Sequence, residues 1–433
     1  MPCSIRGSQM PDNTISTTLR AALASASLAL ALASSPAQAT DGYFLNGVGA
    51  KAKGMGGVAI ALPQEPLSIA SNPAAATEVG HGVQFDVDVF IPDRGATISG
   101  NGAGLDGSYS GNGANPFLLP EFAYVRPISD TVSLGISING NGGMNTHYKT
   151  NPFASFGATG HAGVDLAQVF IAPTVAVKLA EGHSVGVSPI LMVQGFKASG
   201  IQPFTMASAD PARFTNRGRS ISYDFGFRLG YMGQIAEGVR IGAFYQSKIH
   251  GPRFKKYAGL FADQGSFHVP ASYGAGISVQ PGGGLTLGAD VKHIQYSKVG
   301  SVGNPLAPLF AGVPFGADGG PGFGWRDVTA YKIGASYAFD DSFTLRAGYG
   351  HSQNPVPSSE TFLNILAPGV VQDHFTLGGS VLVGKGQEIT AFVMRAPNKT
   401  VRGSGSIPAP YGGGEADISL AETAIGFGFS WVM

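Results

Sequence analysis

Few side chains in this 433-residue chain could do chemistry, and they are of three kinds. The first is a set of charges inside otherwise apolar alternating segments: Asp224, Arg228, Arg240, Asp290, Lys292, Lys332 and Arg346. Each stands on the small, polar side of its segment. A cation there could meet a ligand carboxylate, a charged hydrogen bond worth about 1.5–3 kcal/mol. It could equally pair with an acid across a narrow polar lumen. The second kind is large apolar residues on long connections: Ile201, Phe204, Met206 and Phe214 on one, Phe254, Tyr257, Leu260 and Phe261 on another. They could capture an apolar ligand or pack the connections together, and the two roles are compatible. Lys255 and Lys256 could snorkel around such a patch. The third kind is backbone chemistry. Asn139-Gly140-Asn141-Gly142-Gly143 suits a bulge in a strand or an ordinary turn, and Asn72-Pro73-Ala74 suits a stiff turn. Patterns for catalysis are missing. Gly403-Ser404-Gly405 has no histidine nearby to activate the serine. The nine histidines form no H-E-x-x-H spacing, and Gly47-Val48-Gly49 sits in no βαβ unit. No enzyme activity, cofactor or metal is expected.

The segments that carry these residues alternate with period two. From Glu422 to Trp431, Thr423, Ile425, Phe427, Phe429 and Trp431 point one way, while Ala424, Gly426, Gly428 and Ser430 point the other. Residues 222–231, 330–339 and 343–350 repeat the pattern. The chain is 43% hydrophobic and 12% charged, against about 25% charged in an ordinary soluble domain. Yet its body contains no apolar run long enough for a spanning helix. Large apolar residues on one face and small or polar residues on the other are what a membrane barrel presents to lipid and to its lumen.

Fourteen strands are expected after residue 80, from 81–92, 116–127 and 130–140 at the start to 386–397 and 419–432 at the end. Short connections alternate strictly with long ones at 93–115, 141–163, 197–218, 250–265, 298–324, 353–370 and 398–418. An up-and-down barrel with both termini in the periplasm sorts its loops in this way. The expected fold is therefore all-β, a 14-stranded antiparallel transmembrane barrel over 81–433. Residues 40–80 are apolar and glycine-rich and lack the alternation, and Pro63, Pro66 and Pro73 bar a central strand. They are expected to form a plug inside the lumen. Arg20, the run Ala21 to Ala33 and Ala37-Gln38-Ala39 read as a secretory signal over 1–39. Cys3 lies within that signal, so the mature chain needs no disulfide, and its stability would come from a closed hydrogen-bond ladder. A net charge of zero gives no reason to expect nucleic acid.

Several stretches occur in a telling order: Gly54-Met55-Gly56-Gly57, Asn72-Pro73-Ala74, Pro120-Glu121-Phe122-Ala123-Tyr124-Val125-Arg126-Pro127, Trp325-Arg326-Asp327-Val328 leading to Tyr331 and Gly334, and Leu345-Arg346-Ala347-Gly348-Tyr349. Together they resemble the long-chain fatty acid transporter family of outer-membrane proteins, which also includes transporters of aromatic hydrocarbons. The resemblance implies a fourteen-stranded barrel in the outer membrane, plugged by an N-terminal hatch. External loops would capture a hydrophobic small molecule through Ile201, Phe204, Met206, Phe214, Phe254, Leu260 and Phe261. The lumen would hold it near Arg228, Arg240, Lys332 and Arg346. A kink in the third strand at Gly140 and Gly142 would release it sideways into membrane lipid, with Asn72, Pro73 and Ala74 as a latch touching the kink. A long-chain fatty acid is the first substrate expected and an aromatic hydrocarbon the alternative. A general porin is the polar rival, and the apolar segment 40–80 argues against it. An adhesin or phage receptor stays open. A plugged barrel with a sideways exit needs no second subunit, so a monomer is expected. One departure stands out: barrels of this type usually end in an aromatic residue, and this chain ends Trp431-Val432-Met433.

Overall fold

In the computed structural model, which describes residues 41–433, all the expected strands form and pair with their neighbours in chain order. The expected signal over 1–39 lies outside the described residues. The strands are β1 (Gly82–Ser99), β2 (Phe117–Pro127), β3 (Val132–Asn145), β4 (Gly163–Ala180), β5 (His183–Ser199), β6 (Ser220–Ala236), β7 (Val239–Gln246), β8 (Ser272–Gly282), β9 (Leu285–Ile294), β10 (Val328–Ala338), β11 (Phe343–Ser352), β12 (Asp373–Gly384), β13 (Gln387–Val401) and β14 (Glu415–Val432). A further short strand, Gly107–Ser110, folds back on the outer end of β1. β14 pairs with β1 from Gly82↔Val432 to Ser99↔Glu415. The fourteen-stranded barrel is closed, and no edge is left to pair with another chain.

The faces sort as the period-two pattern requires. Phe427, Phe429 and Trp431 of β14 are exposed on the outside, as are Tyr223, Phe225, Phe227 and Leu229 of β6. Ser430, Ser222 and Arg228, of opposite parity, are buried inside. The strand ends differ from the expected ones at the outer rim. β1 runs on to Ser99 rather than stopping at 92, and β14 begins at Glu415 rather than 419. Above the lipid, the outer face no longer has to be apolar. Asp93, on the outer face, therefore breaks the hydrophobic pattern while the ladder continues, with Asp93 opposite Ala421. The opposite error occurs at 266–271, which was expected as strand and is loop.

Residues 41–80 fold inside the barrel as a hatch. They form a four-residue helix, α1 (Ala50–Lys53), and two 3₁₀ turns, Pro66–Ala70 and Pro73–Thr77. So irregular a segment leaves backbone N–H groups unpaired, and buried ones must find acceptors. Wall carboxylates supply them. Asp86 accepts from the Ala50 amide at 2.7 Å and Glu121 from Gly49 at 2.9 Å. Asp290 accepts from Ala59 and Ile60 at 2.7 and 3.0 Å. Lys53 returns the charge by pairing with Asp88 and with Glu121, the latter at 2.8 Å. Lys51 reaches Glu388 of β13 at 2.8 Å. The small inward face of β14 has its reason here: a Cβ at Gly428 would press on Asp86 and Ala50.

Candidate functional site

Among the described residues, two of the cavities and one break in the wall bear on transport. The outer cavity is made by loops. The β5–β6 connection supplies Ile201, Phe204 and Phe214, and the β7–β8 connection supplies Leu260 and Phe261. Phe153, Phe315 and Phe323 complete the apolar wall around about 530 Å³ of space, part of it open to solvent. Edge-to-face ring contacts, such as Phe153–Phe204 at 5.0 Å and Phe214–Phe315 at 5.6 Å, tie the loops to one another. No charged side chain lines this cavity.

Five of the seven expected capture residues thus come together in one pocket. Phe254 does not line it; it is buried behind, against Phe196 and Phe261. Met206 points away and is 94% exposed. Of the seven, Ile201, Phe204, Phe214, Phe254 and Phe261 are buried, and Leu260 is partly buried. Aromatic rings from four different connections interlock, and that removes them from water.

The second cavity lies in the lumen, with about 630 Å³ of space beside β3, part of it open to solvent. Phe44, Leu45, Asn141, Arg228, Lys292 and Lys332 are among its lining residues. Its cations are already engaged. Lys332 donates to the Asn46 carbonyl and pairs with Asp41 at 3.1 Å. Lys292 lies 3.4 Å from Asp41 and 5.2 Å from the centre of the Phe44 ring. Arg228 donates to the Ala70 carbonyl and to Gln246 at 2.5 Å, with no carboxylate partner among the described residues. Arg240 and Arg346 do not line the cavity. Arg240 pairs with Glu78 at 3.1 Å, and Arg346 donates to Ser380 at 2.6 Å. Arg240 thus ties the end of the hatch to the wall, and Arg346 bridges Ser380 of the wall and Gln64 of the hatch. Asp224 was placed on the lumen face; it is half-buried and caps the Phe225 amide at 2.7 Å.

The break is in β3. Its ladder with β4 shifts between Gly140 and Gly142, so Asn141 is an extra residue in the wall. Such a bulge bends the strand and leaves ladder groups unpaired. The first residues of the hatch fill the gap. Leu45 donates its amide to the Asn141 carbonyl at 3.1 Å, and the Gly143 amide donates to the Tyr43 carbonyl at 3.0 Å. Gly142 has φ +157°, and a Cβ there would overlap the Tyr43 carbonyl.

Asn72-Pro73-Ala74 was expected to touch this break, and the structure places it elsewhere. The Asn72 amide donates to the Ile60 and Tyr231 carbonyls at 2.8 and 2.9 Å. Pro73 packs where Gly186 of β5 and Gly230 of β6 leave room. The Asn72 NH₂ has two protons to satisfy in a buried site, and both acceptors lie on that side of the lumen. The residues at the break are Tyr43, Phe44 and Leu45, which were not singled out from sequence. Neither were Asp86, Asp88 and Glu121. Their signal was present: Asp86 and Asp88 share the inward parity of β1, and Tyr43-Phe44-Leu45 are bulky in a segment otherwise rich in small residues.

The sequence model of the family described as outer membrane protein transport protein (OMPP1/FadL/TodX) matches residues 30–380. The chain belongs to this family. Solved structures agree in fold. The toluene transporter TodX of Pseudomonas putida aligns with a TM-score of 0.67 at 17% identity, covering 90% of this chain and 99% of that one. A FadL homologue of Pseudomonas aeruginosa gives 0.69 at 16% identity, with 90% and 99% covered. The toluene transporter TbuX of Ralstonia pickettii gives 0.61 at 19% identity, with 89% and 99% covered. No curated protein matches the chain in sequence. As an OMPP1/FadL/TodX protein it is an outer-membrane β-barrel transporter of hydrophobic compounds, and the family is one of transport channels rather than enzymes.

Proposed function

We propose that this FadL/TodX protein carries an uncharged hydrophobic compound, such as an aromatic hydrocarbon, by passive uptake. The ligand enters the loop pocket around Phe204 and Phe261, moves to the lumen cavity, and leaves sideways at the β3 bulge when Tyr43–Leu45 withdraw. Residues 1–39 are read as the export signal that brings the chain to its membrane. The observation that carries the choice of ligand is the outer pocket, whose lining offers a carboxylate the Ser301 hydroxyl but no cationic side chain. Burying a charge there would go uncompensated. TodX and TbuX, both described as toluene transporters, support the same choice at the level of fold.

A long-chain fatty acid is the second reading, favoured by Arg228, Lys292 and Lys332 beside the lumen cavity. Binding of toluene and of oleate to the purified protein, measured for wild type, Phe261→Asp and Arg228→Gln, separates the two. The hydrocarbon reading expects Phe261→Asp to weaken toluene binding at least tenfold, the scale of burying an unpaired charge, and Arg228→Gln to leave it unchanged. Met206→Asp, on the exposed side, should leave both ligands unaffected. If oleate alone binds the wild type and Arg228→Gln abolishes that binding, the hydrocarbon reading fails and the acid takes its place.

A further inference from the structure

We infer that the outer wall of the barrel at the tops of β4, β5 and β6 is a docking site for the phosphate groups of an outer-leaflet lipid. Lys197 has the outward parity of β5 and stands opposite Asp165 of β4 in the ladder. Arg219, just before β6, lies across the outer face of Gly195, where a Cβ would be 3.0 Å from its guanidinium. It pairs with Asp165 at 2.5 Å. The ammonium of Lys256, from the loop packed above, donates to the Arg219 carbonyl at 2.9 Å, which uses one of its three N–H groups. Arg217 is exposed beside them, its Nε on the Ala212 carbonyl at 2.5 Å. Four cations therefore come from neighbouring stretches of this rim, with Arg219 paired to Asp165 and Lys197 opposite it in the ladder, in a chain whose net charge is zero. The imidazole of His147, in the neighbouring loop, feels this field. Partial burial and then the positive charges of His161, Lys197, Lys149 and Arg94 push it below its ordinary value.

What lies beneath identifies the occupant. Ile221, Tyr223 and Phe225 continue the same outward face of β6 and are exposed to the membrane. A strand rises about 3.4 Å per residue, so Ile221 sits roughly 7 Å below Arg219. The patch is thus at the depth where acyl chains give way to headgroups, and a molecule that fits both parts has a phosphate on an acyl anchor. A free inorganic anion would have no use for the apolar face below.

The test is native mass spectrometry of the full-length protein titrated with bis-phosphorylated lipid A, its monophosphoryl form, phosphatidylcholine and inorganic phosphate. The wild type should hold the bis-phosphorylated lipid best, with retention falling as salt rises. The triple variant Lys197→Gln/Arg217→Gln/Lys256→Gln should weaken retention about a hundredfold, from roughly a factor of five per charge at a membrane surface. Lys399→Gln/Arg402→Gln, on the far side of the barrel, should retain it. Equal retention of phosphatidylcholine, full retention by the triple variant, or displacement by millimolar inorganic phosphate would each overturn the assignment. Heat-modified gel mobility shows whether a variant has kept its barrel. If the triple variant fails to fold, the order of lipids and the salt dependence in the wild type decide the question.

Discussion

Gly142 is the residue on which the seam between hatch and wall depends. A side chain there has no room beside the Tyr43 carbonyl. Gly142→Val should therefore force Tyr43–Leu45 off β3, at a cost of about 1–3 kcal/mol for overpacking. Faster hydrogen exchange at the Leu45 and Gly143 amides is the expected readout, and unchanged protection would show that the seam tolerates the change. Lys53 makes a second test. Lys53→Met leaves Asp88 and Glu121 facing each other in a buried site, and breaking such a pair from one side typically costs about 3–5 kcal/mol. Thermal unfolding should register a loss of that order. Asp88→Asn with Glu121→Gln, added to Lys53→Met, should recover much of it. Residue roles were only partly legible in the sequence. The inward cations were visible from parity, but their partners come from the hatch or from distant strands, as Lys332 finds Asp41, and no spacing encodes such a pair.

At the scale of elements, the strands were legible because lipid on one side and lumen on the other impose a period of two along the membrane-spanning stretch. The loops were not. Phe204 meets Phe153 and Phe362 from two other connections, and a pocket built by long-range packing leaves no local pattern. The β3 break lies between these cases: Asn139-Gly140-Asn141-Gly142-Gly143 by itself favours a turn, only the family resemblance points to a kink, and the register shift against β4 decides for the bulge. The β7–β8 loop also makes a prediction about pH. His268 is pushed down to about 4, chiefly by burial, with Lys248 and His250 adding repulsion. An unfolded histidine titrates near about 6.5. Between those values the unfolded loop takes up a proton that the folded one refuses, so loop stability is full above the window and falls as pH drops through it. Ligand binding at the outer pocket should weaken over the same range, and His268→Gln should remove that dependence. A flat wild-type profile from pH 7 to 4 would rule out His268 as the cause.

For the whole molecule, the hatch is expected to separate this barrel from an open pore. Removing residues 41–80 should raise single-channel conductance in planar bilayers, and unchanged conductance would mean that the loops alone close the lumen. The overall architecture could be read from parity and loop lengths because closure is a property of the full set of strands, and each strand carries its share of the signal. The hatch, though, has an implication for time as well as for space. It leaves the ribosome before any strand, yet the groups that hold it are spread from Asp86 on the first strand to Glu388 on the thirteenth. It therefore has no place to settle until nearly all of the chain is present. A segment made before every strand must be among the last to fold, and until then its exposed apolar residues need protection from water and from one another.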